Sequence, residues 1–352
     1  MIEVNQDWNQ NFNIIWGKNA QGKTNLLEAI YLLGYVKSFR PARHHEIICQ
    51  HEEQAFLKGQ LTSQGVNHQL EIKLTPNGRT LRVNGKPVQR LKQFFGYLRP
   101  VLFTPEELGI VRGYPAGRRS LLDRAILHVE KNYLDYYQQY ERILKQRNQL
   151  LKRQARDQEL QPWTVALINA GVQIRHSRII YVERIRPLLK DVYQNIVGSS
   201  ETADCIYSTI QKHEDELKEE FAAELDRKHS KEKQLGQTLV GPHRDDLDFY
   251  VDGQSLKTFG SQGQQRSFLL AFKAAQVLDQ QMLFGEPPIL LLDDLASELD
   301  MERQSRFVDF LIKQRTQVFL TTASPEILAE AVKNQAGYYR VDQGKINTLS
   351  PE

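Results

Sequence analysis

The chain has 352 residues, with 46 Lys and Arg against 43 Asp and Glu and a formal net charge of +3. That length suits two or three domains. No apolar run approaches the roughly 18 residues of a membrane span, and residues 1–10 are too polar for a secretory signal. Two cysteines far apart, Cys49 and Cys205, fit a reducing, cytoplasmic setting without a disulfide framework. No cysteine or histidine spacing suggests zinc, and His44, His45 and His51 read as surface residues. With charge so nearly balanced, any surface for nucleic acid must come from segregation of charge along the chain.

In chain order, the first predicted element is a strand over Phe12 to Trp16, short, apolar and β-rich. It runs into Gly17-Lys18-Asn19-Ala20-Gln21-Gly22-Lys23-Thr24, a full G-x-x-x-x-G-K-[ST] phosphate loop. Gly17 and Gly22 let successive N–H groups turn inward onto phosphate oxygens. Lys23 offers a point charge to the terminal phosphates, and the Thr24 hydroxyl suits Mg²⁺. Leu26, Leu27, Ile30 and Leu33 then recur at helical spacing, so Asn25 and its neighbours open a helix whose positive end faces the phosphates.

Short β runs with turns follow at residues 55–61, 66–74 and 81–83, the last meeting Asn84-Gly85, a strong hairpin turn. From about Phe94 to Gly198 the pattern becomes helical. One helix is expected over residues 131–156 and a second over about 165–195, with Gln161-Pro162 as the break of an antiparallel hairpin. This stretch is rich in base: Arg112, Arg118, Arg119, Arg124, Lys131, Arg142, Lys145, Arg147, Lys152, Arg153, Arg156, Arg175, Arg178, Arg184 and Arg186. Such a lobe is expected to meet the phosphate backbone of DNA, largely without regard to sequence. The solvated charged face is the plainer alternative for any single arginine. The mixed-sign run between Gln211 and Lys233 reads as an exposed helix returning to the head.

Ser261-Gln262-Gly263-Gln264-Gln265-Arg266 precedes an apolar helix carrying Phe268, Leu269, Ala271, Phe272, Ala275 and Leu278. Alone it is an ordinary Ser N-cap. A second anion site of this kind gains a use if Ser261, Gly263 and Gln264 reach a γ-phosphate held by another copy of the chain. Ile289 to Leu292 then forms a buried parallel strand that delivers Asp293 and Asp294 to the ligand edge of a sheet. Asp293 is expected to hold the metal. Asp294 is expected to act as the base toward the attacking water, and Asp300 caps the helix that starts near Met301. The phosphate loop, the Ser261 segment and the acidic pair, in this order, point to two chains closing on ATP. No internal repeat or low-complexity tail stands out.

These fragments together resemble the ABC-type ATPase heads and, among them, the RecF family of bacterial recombination mediators. The resemblance rests on Gln21 to Ile30, Ser38-Phe39-Arg40, Phe103 to Leu108, Arg118 to Asp123, Gly241-Pro242-His243-Arg244-Asp245-Asp246, Ser261 to Arg266 and Leu291 to Asp300. Gly241 to Asp246 is the most specific of these, since transporter ATPases have nothing like it there. The resemblance implies an α/β fold, an ABC-type P-loop ATPase head with an inserted helical lobe. The expected domains are 1–95 and 199–352 for the head and 96–198 for the lobe. It implies ATP and Mg²⁺ as cofactors, weak DNA-stimulated hydrolysis, and an ATP-dependent homodimer that clamps gapped or junction DNA. It also implies help to RecR in loading RecA. Relatives usually have Gly where Ala20 stands. They also carry a further strand and a basic, aromatic turn ahead of the phosphate-loop strand, where this sequence has only Met1-Ile2-Glu3 and a few residues more. Two other classes compete. A transporter ATPase subunit is disfavoured by Gly241 to Asp246 and by the basic hairpin. An SMC-like linker would need far more heptad sequence.

Overall fold

The computed structural model describes residues 4–40, 44–49, 52–198, 200–208, 213–294, 300–323, 332 and 335–349. They fall into two units: residues 1–109, 191–201 and 261–352 form the first, and 110–190 with 202–260 the second. From the N-terminus the elements are β1 (Phe12–Trp16), α1 (Lys23–Tyr35), a single turn α2 (His44–Ile47), β2 (Ala55–Ser63), β3 (Val66–Thr75), β4 (Gly78–Val83), β5 (Lys86–Pro87) and β6 (Pro100–Phe103). Next come α3 (Leu108–Arg112), α4 (Pro115–Leu127), α5 (Tyr133–Lys152), α6 (Asp157–Val197), β7 (Ala203–Tyr207), α7 (Glu214–Leu235), β8 (Leu247–Val251) and β9 (Gln254–Ser255). The chain closes with α8 (Gln262–Phe284), β10 (Ile289–Leu292), α9 (Met301–Gln314), β11 (Val318–Thr322), β12 (Ala336–Asp342) and β13 (Lys345–Leu349).

The first unit is built on a sheet of order β13-β12-β1-β11-β10-β6. All its pairings are parallel except β12 with β13. The inner strands are apolar on both faces, as a sheet covered on both sides requires: Ile14, Ile15, Leu290, Leu291, Leu292 and Val318 are buried. Ile15, Leu26, Leu27, Tyr31, Leu102, Leu291 and Phe319 share one core cluster, which fastens α1 to the sheet. Strand β6 corrects the expectation of helix from Phe94 onward. Its four residues are all buried and pair with β10 in register from Ile289↔Pro100 to Leu292↔Phe103. A run this short cannot be told from a helical segment by periodicity; only its partner strand decides.

The expected hairpins form a second sheet of the first unit, β2-β3-β4-β5, and Asn84 and Gly85 both take positive φ (51° and 75°). That is the twist two-residue hairpin turns need. In the second unit α5 and α6 are antiparallel: Arg147 near the end of α5 bonds Thr164 near the start of α6, while Tyr133 at the other end of α5 bonds Arg178. The expected break at Gln161-Pro162 moves upstream. Helix α6 begins at Asp157 and carries Pro162 inside it, and the turn is made at Arg153 and Gln154, the latter at φ 56°. Pro162 lies past the first turn, so it leaves the Gln158 carbonyl without its intrahelical partner, and the helix runs on through it. Helix α7 is not simply an exposed return. Leu217, Phe221, Leu225 and Glu232 are buried on one face, and α7 belongs to the second unit.

The largest correction concerns the basic residues of this lobe. Arg118, Arg147, Arg175 and Arg178 are only 1%, 1%, 3% and 2% exposed, so they are not available to DNA. Each is spent inside the unit. Arg118 grips Asp246 with two bonds of 2.9 and 2.7 Å. Arg147 donates to Glu232 and Thr238, Arg175 to both oxygens of Asp245, and Arg178 to Asp123 and the Pro242 carbonyl. A guanidinium taken out of water needs a carboxylate partner and further hydrogen bonds of this kind. Burial alone would raise the Asp245 pKa, but the bonds and charge of Arg175 outweigh it and hold the carboxyl below its usual range. Gly241 to Asp246 is thus the acceptor side of a buried ionic core. Gly241 itself stands at φ 120°, and a Cβ there would lie 2.6 Å from the Tyr140 hydroxyl and 2.7 Å from the Phe221 ring. His243 completes the set: its Nδ1 lies 2.6 Å from the Tyr140 oxygen, and burial holds its pKa down to about 4. Lys131, Arg142, Lys145, Lys152, Arg153 and Arg156 remain on the surface, Arg153 paired with Glu159.

Candidate functional site

The site lies in the first unit, where strand register sets it. Trp16 pairs with Thr322, Leu292 with Leu320, and Leu292 with Phe103. The chain therefore leaves β1 into Gly17, β10 into Asp293 and β11 beyond Thr322 at one edge of the sheet, the carboxyl edge where α/β folds bind ligands. Gly17 takes φ 149°, and a Cβ on it would meet the Val341 carbonyl of β12 at 2.3 Å. The phosphate loop closes on Gly22, the N-cap of α1, at φ 104°. The first turn of α1 holds no acidic residue, so its positive end is left for an anion. Ala20 takes φ 64°, the left-handed region that glycine adopts more easily.

Lys23 bends back over the loop and donates to the carbonyls of Gly17 (2.6 Å) and Lys18 (3.1 Å). Partial burial lowers its pKa, against the pull of Asp294 and Asp293. Thr24 donates through Oγ1 to Asp293 Oδ1 at 3.1 Å, across 269 residues of sequence. Asp293 is 7% exposed. Burial raises its pKa, and the hydrogen bonds from Thr321 and Thr24 oppose that rise. Asp294 is exposed, at φ 50°, beside the β11 end. Asn25 accepts from Arg40 at 2.9 Å, which ties Ser38-Phe39-Arg40 to α1; Ser38 also bonds Glu28, and Arg40 reaches Glu28 at 3.6 Å. Gln21 accepts the Gln343 N–H from the turn between β12 and β13.

The Ser261 segment forms its own local structure. Ser261 is the N-cap of α8, its hydroxyl accepting from the Gln264 N–H while the Gln264 side chain accepts the Ser261 N–H, a reciprocal capping box. Gln264 also donates to Glu201, and the Gly263 carbonyl accepts from Arg303. So the structure joins Lys23, Thr24, Asp293 and Asp294 into one site, while the bonds of Ser261, Gly263 and Gln264 run elsewhere. Asp300 caps α9 by accepting the Arg303 N–H. Of the acidic motif that runs on from Asp294, residues 295–299 lie outside the described residues. Thr321, which donates to Asp293, stands outside every motif visible in the sequence. Two hydroxyl residues ending the apolar strand Val318-Phe319-Leu320 were the available signal.

Thr24 and Asp293 present a hydroxyl and a carboxylate oxygen side by side, the hard oxygen donors Mg²⁺ takes when it shares phosphates. With the loop N–H groups, the α1 end and Lys23, the edge fits a metal-bound polyphosphate.

The model of the RecF/RecN/SMC N terminal domain matches residues 2–347. The DNA replication and repair protein RecF of Syntrophotalea carbinolica is 43% identical over 96% of this chain and 93% of its own. RecF of Staphylococcus epidermidis is 37% identical over 98% and 95%. The solved structure of the recombination mediator protein RecF-ATP in the RecFOR pathway superposes with a TM-score of 0.87 at 29% identity, covering 99% of this chain and 93% of that one. An Smc head bound to the C-winged helix domain of ScpA shares the fold, with a TM-score of 0.57 at 16% identity over 98% and 92%. The chain belongs to the RecF/RecN/SMC family of ABC-type ATPase heads and, within it, to RecF.

Proposed function

We propose that this chain is an ATP-dependent DNA-binding recombination mediator of DNA repair in the cytoplasm. Gly17, Lys18, Asn19, Ala20, Gln21, Gly22 and Asn25 cradle the nucleotide, and Lys23 neutralises terminal phosphate charge. Thr24 and Asp293 hold Mg²⁺, which would offset charge on the phosphate oxygens. Asp294, exposed at the mouth of the site, orients and deprotonates the attacking water. The Thr24–Asp293 bond carries the reading, since it joins phosphate loop and acidic strand at one sheet edge. The RecF relatives and the RecF-ATP structure support the rest.

In this reading ATP brings two copies together, with Ser261, Gly263 and Gln264 of each facing the nucleotide of the other. The dimer clamps gapped or junction DNA, slow hydrolysis releases it, and the chain helps RecR load RecA. Among the described residues no helix is long and apolar enough to cross a membrane. Ser261→Arg tests the dimer. It removes a cap worth about 1 kcal/mol and places bulk and positive charge at a positive helix end. Expected is a chain that still binds ATP but stays monomeric by light scattering and holds DNA weakly. Wild-type ATP-dependent dimerisation of this variant would leave Ser261 as a helix cap alone.

A further inference from the structure

Strand β11 lies between β1 and β10. Its carboxyl end therefore stands between the strand feeding the phosphate loop and the strand ending at Asp293. All five residues of β11 are buried, and Thr321 is 1% exposed. A valine would fill the same space, so packing alone does not call for the hydroxyl. That hydroxyl has two bonds. It donates to Asp293 Oδ1 at 2.5 Å, the same oxygen that accepts from Thr24, and it accepts the Asp294 N–H at 3.1 Å. One O–H and one lone pair thus reach both members of the acidic pair. The second bond matters because Asp294 sits at φ 50°, a left-handed conformation unfavourable to a residue with a Cβ.

We infer that Thr321 is a positioning residue for metal-dependent nucleotide binding: it turns the Asp293 carboxylate toward Thr24 and pins the Asp294 peptide, so that the oxygen donors are in place before the ligand arrives. The inference rests on the reading of this edge as the site for ATP and Mg²⁺. Groups that orient a metal ligand typically change metal affinity about 10-fold to 100-fold when removed.

The test titrates Mg²⁺ against a fluorescent ATP analogue bound to the full chain, for wild type, Thr321→Val, Thr321→Ser and Lys23→Met. Thr321→Val should raise the Mg²⁺ needed for half-maximal binding about 10-fold or more, leave metal-free nucleotide affinity unchanged, and be rescued by Thr321→Ser. A valine variant within twofold of wild type overturns the inference. So does a serine variant as impaired as valine, or an equal loss with and without metal, which marks a merely structural role. Should the valine variant melt early, Thr321→Ala takes its place under the same criteria. Wild-type binding by Lys23→Met overturns the nucleotide reading itself, an outcome distinct from any Thr321 result.

Discussion

The phosphate-loop edge of the first unit and the arginine core of the second both gather cations and carboxylates, and they treat them oppositely. At the edge, Lys23 leans on backbone carbonyls and Asp293 receives neutral hydroxyls. Neutral partners fix geometry without consuming charge, so the charge is left for a ligand. In the second unit Arg118, Arg147, Arg175 and Arg178 each sit on a carboxylate, and the ion pair uses the charge up. Density of charged residues in sequence is therefore a poor guide to charge that can act.

The largest effect is expected from Arg147→Glu. It sets a carboxylate against buried Glu232 and should cost at least about 3 kcal/mol of stability, read by urea unfolding. Arg142→Glu, on the exposed face of the same helix, should stay within about 0.5 kcal/mol. If Arg142 meets DNA, its loss lowers the log–log salt slope of binding by roughly 0.9. Equal stability loss in both would show that burial is not what separates these arginines.

At the edge, the expected losses are of function. Lys23→Met should weaken ATP binding on the order of 100-fold with little change in melting temperature. Asp294→Asn should keep ATP affinity within a few-fold and slow turnover about 100-fold or more. An equal fall in ATP affinity for the two would misassign the base.

A smaller effect concerns pH. The Asp293 pKa is raised in the fold, mainly by burial, so its ionised form costs stability above that pKa, and the cost fades as acid protonates it. Asp293→Asn should therefore melt higher than wild type at neutral pH, with the gap closing on acidification, while losing Mg²⁺-dependent nucleotide binding. A gap that widens in acid contradicts the sign. The smallest effect is Ala20→Gly, which relieves the φ 64° strain and should stabilise by about 0.5 kcal/mol, seen as a slight rise in melting temperature.

Local chemistry was enough to read the phosphate loop, the strands before and after it, the Asn84-Gly85 hairpin, the Ser261 and Asp300 caps, and the acidic pair. In each case the deciding contacts lie within a few residues, or the residue type admits few conformations. Strand β6 and the start of α6 were decided by partners distant in sequence: four apolar residues become a strand only beside β10, and Asp157 at the start of α6 is held by His229 and Lys233 of α7. The same holds for Thr321, whose meaning depends on β11 lying between two motif strands. It holds most for the arginines, where the sequence shows that a charge is present and says nothing of whether water or a carboxylate meets it. Burial is a property of packing, and the cost of leaving a buried charge unpaired is what made four expected DNA contacts into the core of the second unit.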